Sequence, residues 1–304
     1  MATQFRPKQA PGGRLFRWQL YISRPLSNSG SRPGACAGCL REGPSVAYVD
    51  LNSDLGESFG QYKIGEDEEM MKIISSANVA CGFHGGDPQV MHETLSQARA
   101  NGVGVGAHPG FNDLWGFGRR RIVGDSPADI EKSLVYQIGA IQGMATSLGM
   151  RVTHYKIHGA LSNMACEDED LAMAAARAVK SVDQDLIFLV LPGSELEKAG
   201  EKLGLNVARE VFADRAYEDD GMLVSRKKDG AMIKDAAEAG RRMVRFIEDG
   251  AMQSINGKHI PVQIDSICVH GDSPTAVAMA KSVRNALIDA GIEIRPMHET
   301  MFPS

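Results

Sequence analysis

From Val46 onward the chain alternates two hydrophobic rhythms. Short β-rich runs end in Gly, His or Asp, and each is followed by a stretch with apolar residues at helical spacing. The runs predict strands over Val46–Leu51, Ala77–Cys81, Val103–Ala107, Val152–Ile157, Leu186–Leu191, Val207–Phe212 and Ile264–Val269. The stretches between them predict helices over Glu66–Ser75, Pro88–Ala100, Ala128–Leu148, Asp168–Lys180, Glu195–Leu203, Lys234–Asp249 and Pro274–Ala290. Acids open some of these helices, as in Asp168-Glu169-Asp170, and glycines such as Gly102, Gly204 and Gly250 follow their ends. Both are ordinary helix punctuation. Seven strand–helix units over residues 46–304 predict an α/β fold, a single-domain seven-stranded parallel (β/α) barrel. A doubly wound open sheet is the alternative topology.

Residues 1–45 show neither period. Pro, Gly, Ser and Arg dominate, and such a segment buries too little apolar surface to offset its ordering entropy, which predicts a disordered basic leader. Its Arg-rich, acid-poor composition also resembles an organelle transit peptide, and a misassigned start accounts for it equally well. Cys36 and Cys39 lie there as a lone pair, without the second pair or the histidines that zinc requires.

Composition sharpens the picture of the body. The leader's seven basic residues and one acid give it +6, so with an overall charge of -5 the remainder carries -11. That argues against nucleic acid or an anionic membrane as a partner. A hydrophobic fraction of 43% is ample for a large core. The longest apolar run, Leu186–Leu191, is far short of the ~20 residues of a membrane helix, and no secretory signal is evident. Five cysteines, an odd number without framework spacing, point to a reduced cytoplasmic protein.

In a β/α barrel the chemistry gathers at the carboxyl ends of the strands, and the unusual polar clusters of this chain all fall there. The first strand leads into Asp50-Leu-Asn-Ser-Asp-Leu-Gly-Glu57, where Asp50, Asn52 and Asp54 alternate onto one face. The second ends in Cys81-Gly-Phe-His-Gly-Gly-Asp-Pro88, with Asp87 placed to cap the next helix and Pro88 at its first position. On the third, Gly104, Gly106 and His108 share a face, leaving open space beneath an imidazole. The fourth brings His154, Lys156 and His158 onto one face. Its β-branched and aromatic neighbours favour a strand over the helical zinc pair that the i, i+4 spacing also fits. The sixth strand ends in Asp214-Arg215 and the seventh in His270-Gly271-Asp272. One histidine at a strand end is more often a hydrogen-bonded core residue than a catalyst. Many ionisable groups buried together cost several kcal/mol each unless they pair or bind something, and active sites assemble them routinely.

Other features are weaker. Arg119, Arg120 and Arg121 could hold a carboxylate or phosphate, or be solvated loop charge. Cys81, Cys166 and Cys268 read as buried small residues, with Cys81 beside His84 the one candidate for reactivity. Residues 257–258 do not complete a phosphate-binding loop, and neither a dinucleotide fingerprint in its usual setting nor a nucleophile elbow occurs.

The clusters resemble the LamB/YcsF family. The matching stretches are 50–57, Ala77–Pro88, Gly106–Arg120, Lys156-Ile-His-Gly-Ala-Leu161, Glu210–Tyr217 and Cys268-Val-His-Gly-Asp-Ser-Pro274, in family order across nearly all of 46–304. Ile157, Ser162 and Ser225 depart from the family's usual Pro, Tyr and Pro. The resemblance implies a barrel of the glycoside hydrolase/deacetylase type. It also implies opening of the lactam of 5-oxo-L-proline to L-glutamate, with ATP as co-substrate and two further subunits as partners. Within that expectation, Asp54, His84 and His108 position or deprotonate water or the ring nitrogen. Lys156 and Arg215 hold the substrate carboxylate or a developing oxyanion, and His158, Asp214 and Asp272 orient them. Asn52, Glu57 and His270 complete the substrate-binding set. Two alternatives keep the barrel: a hydrolase whose divalent metal is held by Asp54, His84 and His108, and a non-catalytic small-molecule-binding regulator.

Overall fold

Period-two alternation along the first strand sends Val49, Leu51 and Leu55 outward to the apolar core and turns Asp50, Asn52 and Asp54 inward. A computed structural model describes residues 47–271 and 275–301. The expected leader, the first residue of the predicted first strand, and Asp272 and Pro274 fall outside the described residues. Elements follow in the order β1 (Tyr48–Leu55), α1 (Asp67–Met71), β2 (Ser76–Ala80), α2 (Pro88–Asn101), β3 (Gly104–His108), α3 (Pro127–Ser147), β4 (Val152–Tyr155), α4 (Gly159–Ala165), α5 (Glu169–Val182) and β5 (Ile187–Val190). They continue as α6 (Glu195–Leu203), β6 (Asn206–Phe212), α7 (Ala236–Asp249), β7 (Ala251–Gln253), β8 (His259–Pro261), β9 (Ser266–Cys268), α8 (Ala276–Asp289), β10 (Glu293–Ile294) and α9 (Met297–Met301).

β1, β2, β3, β4, β5, β6 and β9 pair in parallel, and β9 returns to β1, which closes a seven-stranded barrel. The open-sheet alternative is thereby excluded. The main core lies between the barrel and its helices, where Leu51, Val79, Leu95, Leu134, Ile138 and Ile141 are buried. Near the amino ends of the strands, α9 packs Met297 against Ile187, Leu189 and Ala208 in a second, smaller core, and the Met297 amide lies 3.5 Å from the Ser76 hydroxyl. Asp87 caps α2 as its sequence suggests, accepting from the amides of Gln89 and Val90, with Pro88 in the first turn.

Three departures from the sequence reading have physical causes. β1 runs four residues past its expected end, because its polar residues are satisfied inside the barrel rather than exposed in a loop. The antiparallel β7–β8 hairpin, β10 and the short helices α4 and α9 are too brief to show a period. The space expected beneath His108 is filled, since the imidazole of His154 occupies the place a Cβ on Gly106 would take and His298 sits against Gly104.

Candidate active site

The inward residues of successive strands stack into a polar column along the barrel axis. At its base Asp50 accepts from the hydroxyls of Ser75 (2.8 Å), Ser76 (2.6 Å) and Ser266. Burial pushes the Asp50 carboxyl up to about 6 in spite of these donors. One level higher, the Asn52 amide donates to Glu210 Oε1 (2.9 Å) and Ser266 Oγ (2.7 Å), and its oxygen accepts from Asn78. His154, pulled down to about 3 by burial, donates from Nε2 to Asn78 Oδ1 at 2.9 Å. A neutral imidazole thus completes this level.

The next level holds Lys156. Its Nζ lies 3.0 Å from Asp54 Oδ1, 2.9 Å from Glu210 Oε1 and 3.2 Å from Cys268 Sγ, and 5.2 Å from the centre of the Phe212 ring. Burial opposes its charge, but Asp54, with the neighbouring Cys268 and Glu210, holds Lys156 well above the usual lysine range. Burial likewise opposes ionisation of Asp54, and His108 and Lys156 hold that carboxyl well below its ordinary value. Lys156 is therefore a fixed cation and not a neutral base.

Beside it, His108 donates from Nδ1 to the carbonyl of Lys156 (2.8 Å), while His158 donates from Nε2 to the carbonyl of Phe117 (2.9 Å). The two rings meet edge to face, with His158 Nδ1 3.0 Å from His108 Nε2. His84 stacks flat on His158, ring centres 3.6 Å apart, with its Nε2 3.2 Å from Glu57 Oε1. Burial drives both His84 and His158 well below the usual histidine range. Gly118 and Gly110 close over these rings with no room for a side chain on Gly118.

Above the lysine opens a cavity of about 410 Å³. Asp54, Glu57, His108, Lys156 and His158 line its floor, and Arg215 and His270 its wall. Asp214 stands behind His270 and accepts from its Nδ1 at 2.8 Å, leaving Nε2 as the lone-pair nitrogen, 3.5 Å from Arg226. Burial opposes the charge of Asp214, yet His270 keeps its carboxyl below the ordinary range. Arg215 donates to the Val224 carbonyl, and its buried Nε has no protein partner. Arg119, Arg121, Arg226 and Lys227 add positive charge around the rim, whereas Arg120 turns away to Asp113.

Asp54, His108, Lys156, His158, Glu57, Arg215 and His270 therefore share one mouth of the barrel. His84, Asp214 and Asn52 support them from behind or below, and Asp272 lies outside the described residues. The expected metal trio of Asp54, His84 and His108 is regrouped. The donor atoms of Glu57, His84, His108 and His158 lie within 4.8 Å of one another, while Asp54 groups with Cys268 and His270. Glu210 was absent from the expected site. Its signal was alternation, since Glu210, Phe212 and Asp214 succeed one another at period two toward the strand end. Cys81 offers no reactive thiolate, because burial pushes its thiol up to about 12.

The profile of the LamB/YcsF family matches residues 49–302. A protein of Rhodopseudomonas palustris (strain BisB5), named as a 5-oxoprolinase subunit, is 55% identical over 248 residues, 82% of this chain and 98% of its own. A Bradyrhizobium diazoefficiens protein, also named as a 5-oxoprolinase subunit, is likewise 55% identical, over 82% of this chain and 97% of its own. The crystal structure of a lactam utilization protein from Thermus thermophilus superposes with a TM-score of 0.78 at 44% identity, covering 82% of this chain and 99% of that one.

Proposed function

The chain belongs to the LamB/YcsF family, and on that footing we propose that its cavity opens the lactam of 5-oxo-L-proline to L-glutamate. The reaction is coupled to ATP hydrolysis and runs in a complex with two further subunits. The observation that carries the reading is the charged Lys156 on the cavity floor, held between Asp54 and Glu210 beneath the His270–Asp214 pair. Relatives named as 5-oxoprolinase subunits and a neighbour named for lactam utilization support the same substrate class. The buried, unpaired cysteines Cys81, Cys166 and Cys268 among the described residues suit a reducing cytoplasm.

A five-membered lactam is a poor electrophile, and its opening needs a driving reaction. Phosphoryl transfer from ATP to the carbonyl oxygen, with loss of the ring N–H proton, gives a phosphorylated imidate. Water adds at that carbon, the ring C–N bond breaks, and phosphate departs after a second hydrolysis. Lys156 exchanges its weak contact to Cys268 Sγ for a charge-assisted hydrogen bond to the oxygen on which negative charge develops. Arg215, in the cavity wall, holds the substrate carboxylate. His270 accepts and returns a proton at Nε2, and Asp214 fixes its tautomer by accepting from Nδ1. Asp54 and His108, 3.3 Å apart, orient the attacking water, and His158 and His84 wall that side. The rim cations Arg119, Arg121 and Lys227 meet the phosphates.

The test is glutamate formation from 5-oxoproline and ATP, measured with this chain, with the candidate partner subunits, and with all together. Glutamate and phosphate should appear together in the full complex and vanish when this chain is omitted. Equal glutamate formation without this chain would refute the assignment.

A further inference from the structure

We propose that His108 Nε2, His158 Nδ1 and the Glu57 carboxylate are the ligands of a divalent transition-metal ion of the zinc class. The inference goes beyond lactam opening and stands whether or not that reaction is the right one. It rests on hydrogen-bond directions. A backbone carbonyl only accepts, so the bond to Lys156 O places the His108 proton on Nδ1, and the bond to Phe117 O places the His158 proton on Nε2. The two remaining nitrogens, His108 Nε2 and His158 Nδ1, face each other at 3.0 Å, so a proton or a metal ion must lie between them. Two carboxylates stand on the same side: Glu57 Oε1 is 3.5 Å from His158 Nδ1, and Asp54 Oδ2 is 3.3 Å from His108 Nε2.

The spacing fits cis ligands around one ion. Donors bound at about 2.0–2.2 Å in a tetrahedral zinc site sit roughly 3.3–3.6 Å apart, and somewhat closer where the angle narrows. Two imidazoles and a carboxylate are zinc-type donors, and the backbone carbonyls that receive the outer N–H groups are the partners that orient ligating histidines. His84 is not a fourth ligand. Its ring lies parallel to that of His158 with 3.6 Å between centres, so one ion cannot lie in both ring planes. Its Nε2 instead holds Glu57 in place. Glu57, His108, His158 and Asp54 all border the cavity, so the remaining coordination position opens to bound water or to a substrate oxygen. Asp54 stands next to that position.

The experiment is calorimetric titration of chelator-treated full chain with Zn²⁺, paired with the visible spectrum of the Co²⁺-loaded protein. The wild type should take up stoichiometric metal and show the intense d–d bands of a low-coordinate nitrogen–oxygen site. Losing an outer-shell partner of a metal site costs about 10–100-fold in affinity, so His158→Gln and Glu57→Gln should each weaken binding by at least about 100-fold. His92→Gln and His259→Gln, on exposed histidines that are not members of the cluster, should leave it unchanged. Two results would overturn the proposal. One is a wild type that binds no Zn²⁺, for which a ¹⁵N spectrum would show His108 and His158 sharing a proton instead. The other is metal uptake that survives both cluster substitutions. Uptake and spectrum are read without turnover, so an inactive chain still decides the question.

Discussion

Replacing Lys156 by methionine, similar in length and without charge, should destabilise the barrel and abolish turnover together. The ammonium sits 3.0 Å from Asp54 and 2.9 Å from Glu210, with side-chain exposures of 7%, 11% and 3% for the three residues. At an effective dielectric near 20, a contact of about 3 Å carries roughly 5 kcal/mol of attraction, offset by the hydration all three groups have lost. Removing one partner of such a buried pair costs about 3–5 kcal/mol, chiefly because the remaining charge is stranded. For a domain of this size, about 2 °C of melting temperature accompanies each kcal/mol. The midpoint of Lys156→Met should therefore fall by roughly 6–10 °C. The double-mutant cycle is the sharper assay. Adding Glu210→Gln to Lys156→Met neutralises one stranded carboxylate and should recover about 1–3 kcal/mol by denaturant titration, although Glu210→Gln alone destabilises. Lys156→Met within about 1 kcal/mol of wild type, or strictly additive single changes, would refute the assignment of Lys156 as the cation that balances both acids.

Three further outcomes follow from the geometry. The buried Asp50 has its carboxyl raised to about 6 from an ordinary 3.8, so its contribution to stability is full below the ordinary value and is lost as pH rises through 6. Wild type should thus lose about 2 kcal/mol relative to Asp50→Asn between pH 4 and 7, and a constant difference in urea titrations across that range would contradict the assignment. Gly106→Ala drives a methyl group into the His154 imidazole and should cost about 1–3 kcal/mol in thermal or denaturant unfolding. Wild-type stability there would mean that His154 packs elsewhere. His270→Ala should lower kcat by about 10²–10⁴ while the melting temperature stays within a few degrees, and Asp214→Asn should follow it. Unchanged kcat in both would remove the pair from proton transfer.

The barrel was legible because each strand carries its own period and each connection its own caps, signals that need only neighbouring residues. Asp50, Asn52 and Asp54 declared a common face by alternation alone, and the structure turns that face inward. The register between distant strands was not legible. Nothing local in the sequence tells that Glu210 reaches Lys156 and Asn52, or that the ring of His154 needs the missing side chain of Gly106. The regrouping of His84 away from Asp54 toward Glu57 has the same origin, since stacking on His158 fixes a ring that sequence leaves free. Hydrophobicity also set the wrong end for β1, because a closed barrel supplies internal partners to polar residues that would otherwise mark a loop.

A crystal structure of the assembled complex soaked with 5-oxoproline measures the central claim most directly. The lactam should lie in the cavity with its carbonyl oxygen within hydrogen-bond distance of Lys156 Nζ, its carboxylate on Arg215, and His270 Nε2 facing the ring. A fully occupied lactam bound away from Lys156, His270 and Arg215 would contradict it.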